Sequence, residues 1–209
     1  MAAGQRRRIL IATGNPGKRR EIEAVMADVP VDWVSLADMP DLPDCVEDAD
    51  TFEANARKKA LHYAGLSGLW TLADDSGLEV DALGGAPGVH SARYAGEPKS
   101  DARNNAKLVA GLTGVPDERR TARFRCVVAL AEPGRVLATA SGTIEGRIID
   151  SPRGRNGFGY DPHFLIPDLG KTAAELPAAE KNRISHRGRA LAALRQKLSS
   201  LLDAPHARP

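Results

Sequence analysis

The distribution of apolar positions along the chain changes period several times, and each change marks an element. Arg8–Thr13 holds Ile9, Leu10 and Ile11 without interruption, as a strand buried on both faces does. The run stops at Gly14-Asn15-Pro16-Gly17, and Ile22, Val25 and Met26 then recur at helical spacing. A second strand is predicted over Val31–Leu36. Pro40 and Pro43, set among Asp38, Asp41, Asp44 and Glu47, mark an acidic loop. Thr51-Phe52-Glu53 opens a helix to about Ala64, with Thr51 as its N-cap. Trp70–Ala73 reads as a short strand ending at Asp74-Asp75-Ser76-Gly77, with another strand over Leu78–Leu83. The Gly84–Gly88 turn follows, and a helix is predicted over Asp101–Leu112. Thr121–Ala131 and Val136–Ile149 form a long hairpin about Pro133-Gly134. Ser151–Gly159 is a glycine-rich loop, and a last helix spans about Ser185 to Leu202.

Helices alternate with strands early, and a hairpin breaks that order later. The fold class is therefore α/β: a mixed central sheet flanked by helices, in two lobes with a substrate cleft between them. At 209 residues the chain suits one domain, with residues 1–7 and 203–209 expected to be disordered ends. No repeat or low-complexity linker is present.

Composition narrows the classes of function. Charged residues are 27% of the chain and almost cancel, at a net +2. Nothing in that balance resembles a general nucleic-acid binder. No apolar run approaches the ~20 residues that span a bilayer, and Met1–Arg8 leads into no signal-peptide core. Cys45 and Cys126 are the two cysteines, without CxxC spacing. They read as two buried thiols in a reducing cytoplasm.

Three segments carry chemistry. Thr13-Gly14-Asn15-Pro16-Gly17-Lys18 links a buried strand to a helix. Helix N-termini offer unpaired N–H groups and partial positive charge to anions. Lys18, Thr13 and Asn15 add donors, and Gly14 and Gly17 allow close approach. Only two residues separate those glycines and Arg19 follows Lys18, so this is not a Walker loop. The plain alternative is a strand-to-helix turn with a solvated lysine. Of Lys58 and Lys59, at most one faces a given cleft, because adjacent helical residues diverge. Their plain reading is a solvated basic face.

Asp74 and Asp75 point to opposite sides if strand geometry persists. One could meet phosphates through a hard divalent cation such as Mg2+, which bridges carboxylate to phosphate, and could orient and deprotonate a water. Glu47 is a candidate second ligand. A capped turn is the bland alternative.

Gly157-Phe158-Gly159-Tyr160-Asp161-Pro162 sets rings among glycines in a chain only 4% aromatic. Phe158 can stack on a flat base and Asp161 can accept hydrogen bonds from base or sugar, while Tyr160 can equally be a core anchor. Lys181, His186 and Arg187, at the mouth of the last helix, are donors suited to carbonyl oxygens. A buried donor facing adenine's amino group loses its partner, which costs roughly 1–3 kcal/mol, or about five- to 150-fold.

Taken together, these stretches resemble the inosine triphosphate pyrophosphatase family. The matches run in order: Thr13-x-Asn15-x-x-Lys18, Phe52-x-x-Asn55-Ala56-x-x-Lys59-Ala60, Ala73-Asp74-Asp75-Ser76-Gly77-Leu78, Gly84-Gly85-Ala86-Pro87-Gly88, Ser91-Ala92-Arg93-Tyr94, Gly157–Pro162, Gly170-Lys171-Thr172 and Ser185-His186-Arg187. The resemblance implies a cytoplasmic, Mg2+-dependent homodimer that cuts noncanonical purine triphosphates (ITP/dITP, XTP/dXTP) to monophosphate and pyrophosphate, cleansing the nucleotide pool. It implies Asp75 as proton acceptor and metal ligand, and Glu47 as a second ligand. Thr13, Gly14, Asn15, Pro16, Gly17, Lys18 and Lys59 would hold the triphosphate, and Ser76 would touch substrate. Phe158, Gly159, Tyr160, Asp161, Lys181, His186 and Arg187 would hold base and sugar. Two rivals stand beside this: a pyrophosphatase for modified pyrimidine triphosphates, and an RNA-binding surface built from Arg6–Arg8, Lys58 and Lys59. Neither nucleic acid nor membrane is an expected partner.

Overall fold

The computed structural model describes residues 6–203. Seven strands form one mixed sheet in the order β2-β1-β3-β4-β5-β6-β7. They are β1 (Arg7–Ile11), β2 (Val31–Ser35), β3 (Trp70–Val80), β4 (Thr121–Glu132), β5 (Arg135–Ile148), β6 (Phe164–Ile166) and β7 (Lys171–Thr172). β1 pairs in parallel with β2 and β3, and all later pairings are antiparallel. Five helices flank the sheet: α1 (Pro16–Val25), α2 (Phe52–Ser67), α3 (Asp101–Gly111), α4 (Ala178–Ile184) and α5 (His186–Asp203). The α/β class and the mixed, helix-flanked sheet are as the hydrophobic pattern predicts.

The alternation of side chains sorts the core into layers. Ile9, Ile11, Leu72, Val128 and Leu130 face α1 and α5, where they meet Ile22, Met26, Leu191, Leu194 and Leu198. Leu10, Ala12, Ala73, Val127 and Ala129 face α2, against Phe52, Ala56, Ala60 and Tyr63. A third cluster at the far end of the long strands joins Leu78, Val80, Phe124 and Ile148 to Leu108 of α3, to its C-cap Leu112 and to Tyr160 and Phe164. The small residues along α2 let that helix lie close on β3 and β4. Thr51 caps it, accepting from the Ala54 N–H at 3.1 Å, and Gly68 closes it at φ 69°.

Four expectations are corrected. The two short strands about Asp74–Gly77 are one, β3, eleven residues long. The polar run does not turn because β4 pairs along its whole length, with Asp74 opposite Val128, Asp75 opposite Val127 and Ser76 opposite Cys126. Lys181 lies on a separate short helix, α4, rather than at the mouth of the last helix, and Ser185 is the C-cap of α4. The short strands β6 and β7 carry too few residues to show a period. Of the two thiols Cys126 is buried, but Cys45 is half-exposed. The expected disordered ends fall mostly outside the described residues, although Arg7 and Asp203 belong to β1 and α5.

Gly77 shows why β3 tolerates no ordinary side chain there: a Cβ would lie 2.4 Å from both Gly88 O and Ser91 Oγ. Gly77→Ala should therefore lower stability by roughly 1–3 kcal/mol, read as a reduced urea midpoint at unchanged m-value.

Candidate functional site

The middle of β3 supplies two buried carboxylates on opposite faces of the sheet. Asp74 is fully buried and faces α1 and α5. Its Oδ2 meets Lys18 Nζ at 3.1 Å, Arg187 Nε at 3.2 Å and the Ser76 hydroxyl at 3.2 Å. Burial opposes its ionisation, but Lys18, Arg187 and Lys59 outweigh that and hold the carboxyl well below the usual range. The three partners come from α1, α5 and β3, so one oxygen ties the phosphate-type helix to the last helix.

Asp75 faces α2. Its Oδ2 is buried without a hydrogen-bond partner. Burial raises its pKa; the Lys18 and Lys59 charges oppose this, and the Glu47 carboxylate adds to the rise. Lys59 is buried and pairs with Glu47 at 2.6 Å. Lys58, one residue earlier, is exposed and pairs with Asp48, so only one lysine of the pair turns inward. Arg57 likewise pairs with Glu53 at 3.2 Å. These ion pairs offset the charge of the basic face that an RNA surface would have used.

The N-terminus of α1 differs in detail from its expected form. Asn15 is the N-cap, and its Oδ1 accepts from the N–H groups of Gly17 at 2.8 Å and Lys18 at 3.1 Å. Those two N–H groups are thus already satisfied. What remains for an anion is the partial charge of the helix end, the Asn15 amide N–H2, the Thr13 hydroxyl and the Lys18 ammonium. Gly14, Asn15 and Pro16 are exposed.

Gly17 is where the phosphate-type turn meets the aromatic loop. A Cβ on it would sit 2.5 Å from Phe158 Cδ1, so glycine is what lets the ring pack there. Lys181 Nζ lies 4.9 Å from the ring centroid and the Arg187 guanidinium carbon 5.7 Å, both within reach of the ring quadrupole. Lys18, Asp74, Phe158 and Arg187 are therefore neighbours, and Asp75 and Lys59, though on the α2 side, stay close enough that the Lys18 and Lys59 charges act on both aspartates.

Four of the predicted base-binding residues are engaged elsewhere, and of these Gly159 has its N–H bonded to Asp101 and its carbonyl to Asn105. Asp161 Oδ2 accepts from the Phe158 N–H at 2.9 Å and from Lys181 at 2.5 Å, so it organises the loop rather than facing outward. Tyr160 is buried, and its hydroxyl donates to Ser91 O at 2.8 Å; it is the core anchor. The His186 ring is buried and stacked on Phe124, with centroids 4.8 Å apart. Burial and the adjacent Arg187 and Lys181 charges push its pKa well below the ordinary value. It is a neutral core ring, because the last helix turns that face inward.

Sequence reasoning missed Glu21 and gave no role to Asn55 and Arg93. Glu21 accepts from Lys181 at 2.9 Å and from Arg187. Its position one turn beyond Lys18, on the same helix face, was the available signal. Asn55 is buried and bonds both the N–H and the carbonyl of Ala49, at 2.9 and 3.2 Å. Arg93 donates to Glu47 O at 3.1 Å. Together they pin the acidic loop that carries Glu47.

A groove of about 840 Å3 lies elsewhere, lined by Thr51, Phe52, Pro87, Arg125 and Thr139 among others, and contains none of the predicted site residues. The convergence of charged side chains, not the size of a hollow, marks the site.

The Ham1 family model matches residues 9–197. The chain belongs to the Ham1 family. A protein of Geobacter sulfurreducens named dITP/XTP pyrophosphatase is 56% identical over 191 residues, covering 91% of this chain and 96% of that one. Another of that name, from Geobacillus kaustophilus, is 54% identical over 194 residues, covering 93% and 95%. A HAM1 protein of Coxiella burnetii superposes with a TM-score of 0.84 at 42% identity, covering 93% of this chain and 99% of that structure.

The half-buried acid Glu21 should contribute, beside Asp74, to the acid lability of this Ham1 site. Burial opposes its charge, but Arg187 and Lys181 outweigh that and lower its pKa from 4.5. Its contribution is complete above the unfolded-state pKa and is lost as pH falls through the lower folded value. Glu21→Gln should cost several kcal/mol at pH 7 (roughly 3–5 for a broken buried pair). The gap to the wild type should narrow steadily below pH ~4.5 in urea titrations.

Proposed function

We propose that this enzyme hydrolyses the triphosphates of deaminated purines, dITP/ITP and XTP/dXTP, to the nucleoside monophosphate and pyrophosphate. One observation carries the reading: a single buried carboxylate, Asp74, joins the lysine at the α1 N-terminus to the arginine beside the Phe158 ring. A triphosphate lying along Lys18 and Lys59 would bring its base to Phe158, Lys181 and Arg187. The names of the Geobacter and Geobacillus relatives support the substrate class.

Asp75 has a raised pKa and a free buried oxygen, so it is suited to take a proton from a water attacking the α-phosphorus. The pyrophosphate then leaves toward Lys18 and Lys59, whose charges offset that of the leaving group. Among the described residues no three His, Cys, Asp or Glu side chains come together as a ready metal cage. The residues nevertheless fit a magnesium ion: two nearby carboxylates, one with an orphan oxygen, match the one or two protein ligands it usually takes beside substrate phosphates. Asp75 and Glu47 would hold it, and it would supply positive charge to the triphosphate. Glu47 would exchange Lys59 for the ion.

Selection rests on donors. Arg187 is engaged with Asp74, Glu21 and Ser76 and Lys181 with Asp161 and Glu21; the N–H groups left over would suit a 6-carbonyl and not a 6-amino group. The family resemblance further supports a homodimer, and the two cysteines without CxxC spacing support a cytoplasmic location.

A nucleotide panel assayed for pyrophosphate release tests this directly. dITP and XTP should turn over at least about tenfold better in kcat/KM than dATP, as one lost buried hydrogen bond requires. Faster release from dUTP than from dITP would overturn the substrate class, and full activity in EDTA would overturn the metal.

Asp75→Asn should lower kcat by two or more orders of magnitude, near the ~10²–10⁴-fold scale of a lost general base, with melting temperature preserved. Arg187 is too deeply paired with Asp74 and Glu21 for an alanine test to be clean. Arg187→Lys keeps the charge but loses the planar fork, and should shrink the dITP/dATP preference; an unchanged ratio would place base reading elsewhere.

A further inference from the structure

Helix α3 contributes nothing to the charged cluster about Asp74, yet two of its side chains reach the loop that presents Phe158. Asp101, the first residue of α3, accepts from the Gly159 N–H with Oδ2 at 2.8 Å. Asn105, one turn on, donates Nδ2 to Gly159 O at 2.9 Å. The four-residue spacing puts both on one helix face. That face takes both backbone hydrogen-bonding groups of the residue immediately after Phe158.

The loop needs such support. Gly157, Gly159 and the intervening ring lie outside any strand, and both glycines are left-handed, at φ 75° and 63°. The Phe158 N–H is held from within the loop by Asp161, whereas the Gly159 groups have their partners on α3. The helix itself is well fixed. Leu108 is fully buried, Ser100 caps the first turn by accepting from the Arg103 N–H, and Asn104 bonds Ala92 O at 3.1 Å and the Ala95 N–H at 2.8 Å. A rigid element therefore grips a glycine-rich loop one residue from the ring.

We propose that Asp101 and Asn105 are positioning residues for base recognition, which hold the Phe158 ring in place against Gly17, Lys181 and Arg187 without touching the substrate. This rests on the reading of Phe158 as the base platform. A loop released from α3 samples more ring orientations, and each bound purine must then reorder it. The penalty falls on the base and spares the phosphates.

The test compares Asp101→Ala, Asp101→Asn, Asn105→Ala, Phe158→Ala and the double variant Asp101→Ala/Phe158→Ala. Each is measured for kcat and KM with dITP, for inhibition by inorganic tripolyphosphate as a base-free probe, and for melting temperature. Asp101 is exposed, so its replacement leaves the fold intact. Asp101→Ala and Asn105→Ala should each raise the dITP KM about five- to thirty-fold, with kcat changed less than about threefold. Tripolyphosphate inhibition should be unchanged. Asp101→Asn, which retains an acceptor oxygen, should stay within about threefold of wild type. In the Phe158→Ala background Asp101→Ala should have little further effect, as coupled residues behave in a double-mutant cycle.

An effect of equal size with and without Phe158, or a parallel loss of tripolyphosphate inhibition, would reduce α3 to general support and overturn the proposal. Raised KM in Phe158→Ala with unchanged KM in Asp101→Ala and Asn105→Ala removes the clamp alone. Unchanged KM in Phe158→Ala removes the base-platform reading, and the clamp with it.

Discussion

The rest of the site depends on a negative charge at Asp74 inside the sheet. A lone carboxylate with no exposure would cost several kcal/mol and would protonate rather than remain. It stays ionised because Lys18 and Arg187 close on it from two helices, and those helices lie as they do partly because it is there. Lys181 and Glu21 extend the same network, so charges alternate from α1 through β3 to α4 and α5. A buried network of this kind is high-stakes: fully paired it fixes one geometry, and with one member missing it leaves the others stranded.

Much of this was legible along the chain. The strand-to-helix turn at Gly14–Gly17, the Thr51 cap and the long hairpin follow from period and turn chemistry, which act locally. The interior polar residues were harder. Asp74-Asp75-Ser76-Gly77 reads as a turn because such residues usually leave a sheet. The structure keeps them in it, since partners from helices more than fifty residues away in sequence satisfy Asp74. Local propensity yields to tertiary pairing at a functional site. The same reason hid Glu21, whose meaning appears only when α4 and α5 arrive beside it.

In the aromatic segment the hidden quantity is side-chain direction. Phe158, Asp161 and His186 look alike as candidates for base contact and Tyr160 reads equally as a core anchor, because sequence tells which residue types are near but not which way they turn. Tyr160 and His186 go to the core, Asp161 binds its own loop and Lys181, and Phe158 alone keeps its ring against Gly17 and the two cations. Asp161 thus holds the Phe158 backbone in place, a role that spacing does not reveal.

Arg187 and Asp74 are 113 positions apart, and this separation has a consequence for biosynthesis. While the chain emerges from the ribosome, the β1–β4 region can pair before α5 exists, but its central acid then lacks a principal counter-ion. The charge network about Asp74 is completed only when the last helix docks. A nascent chain stalled short of Arg187 therefore carries the α1 turn and both β3 aspartates while the charge at Asp74 is still only partly matched.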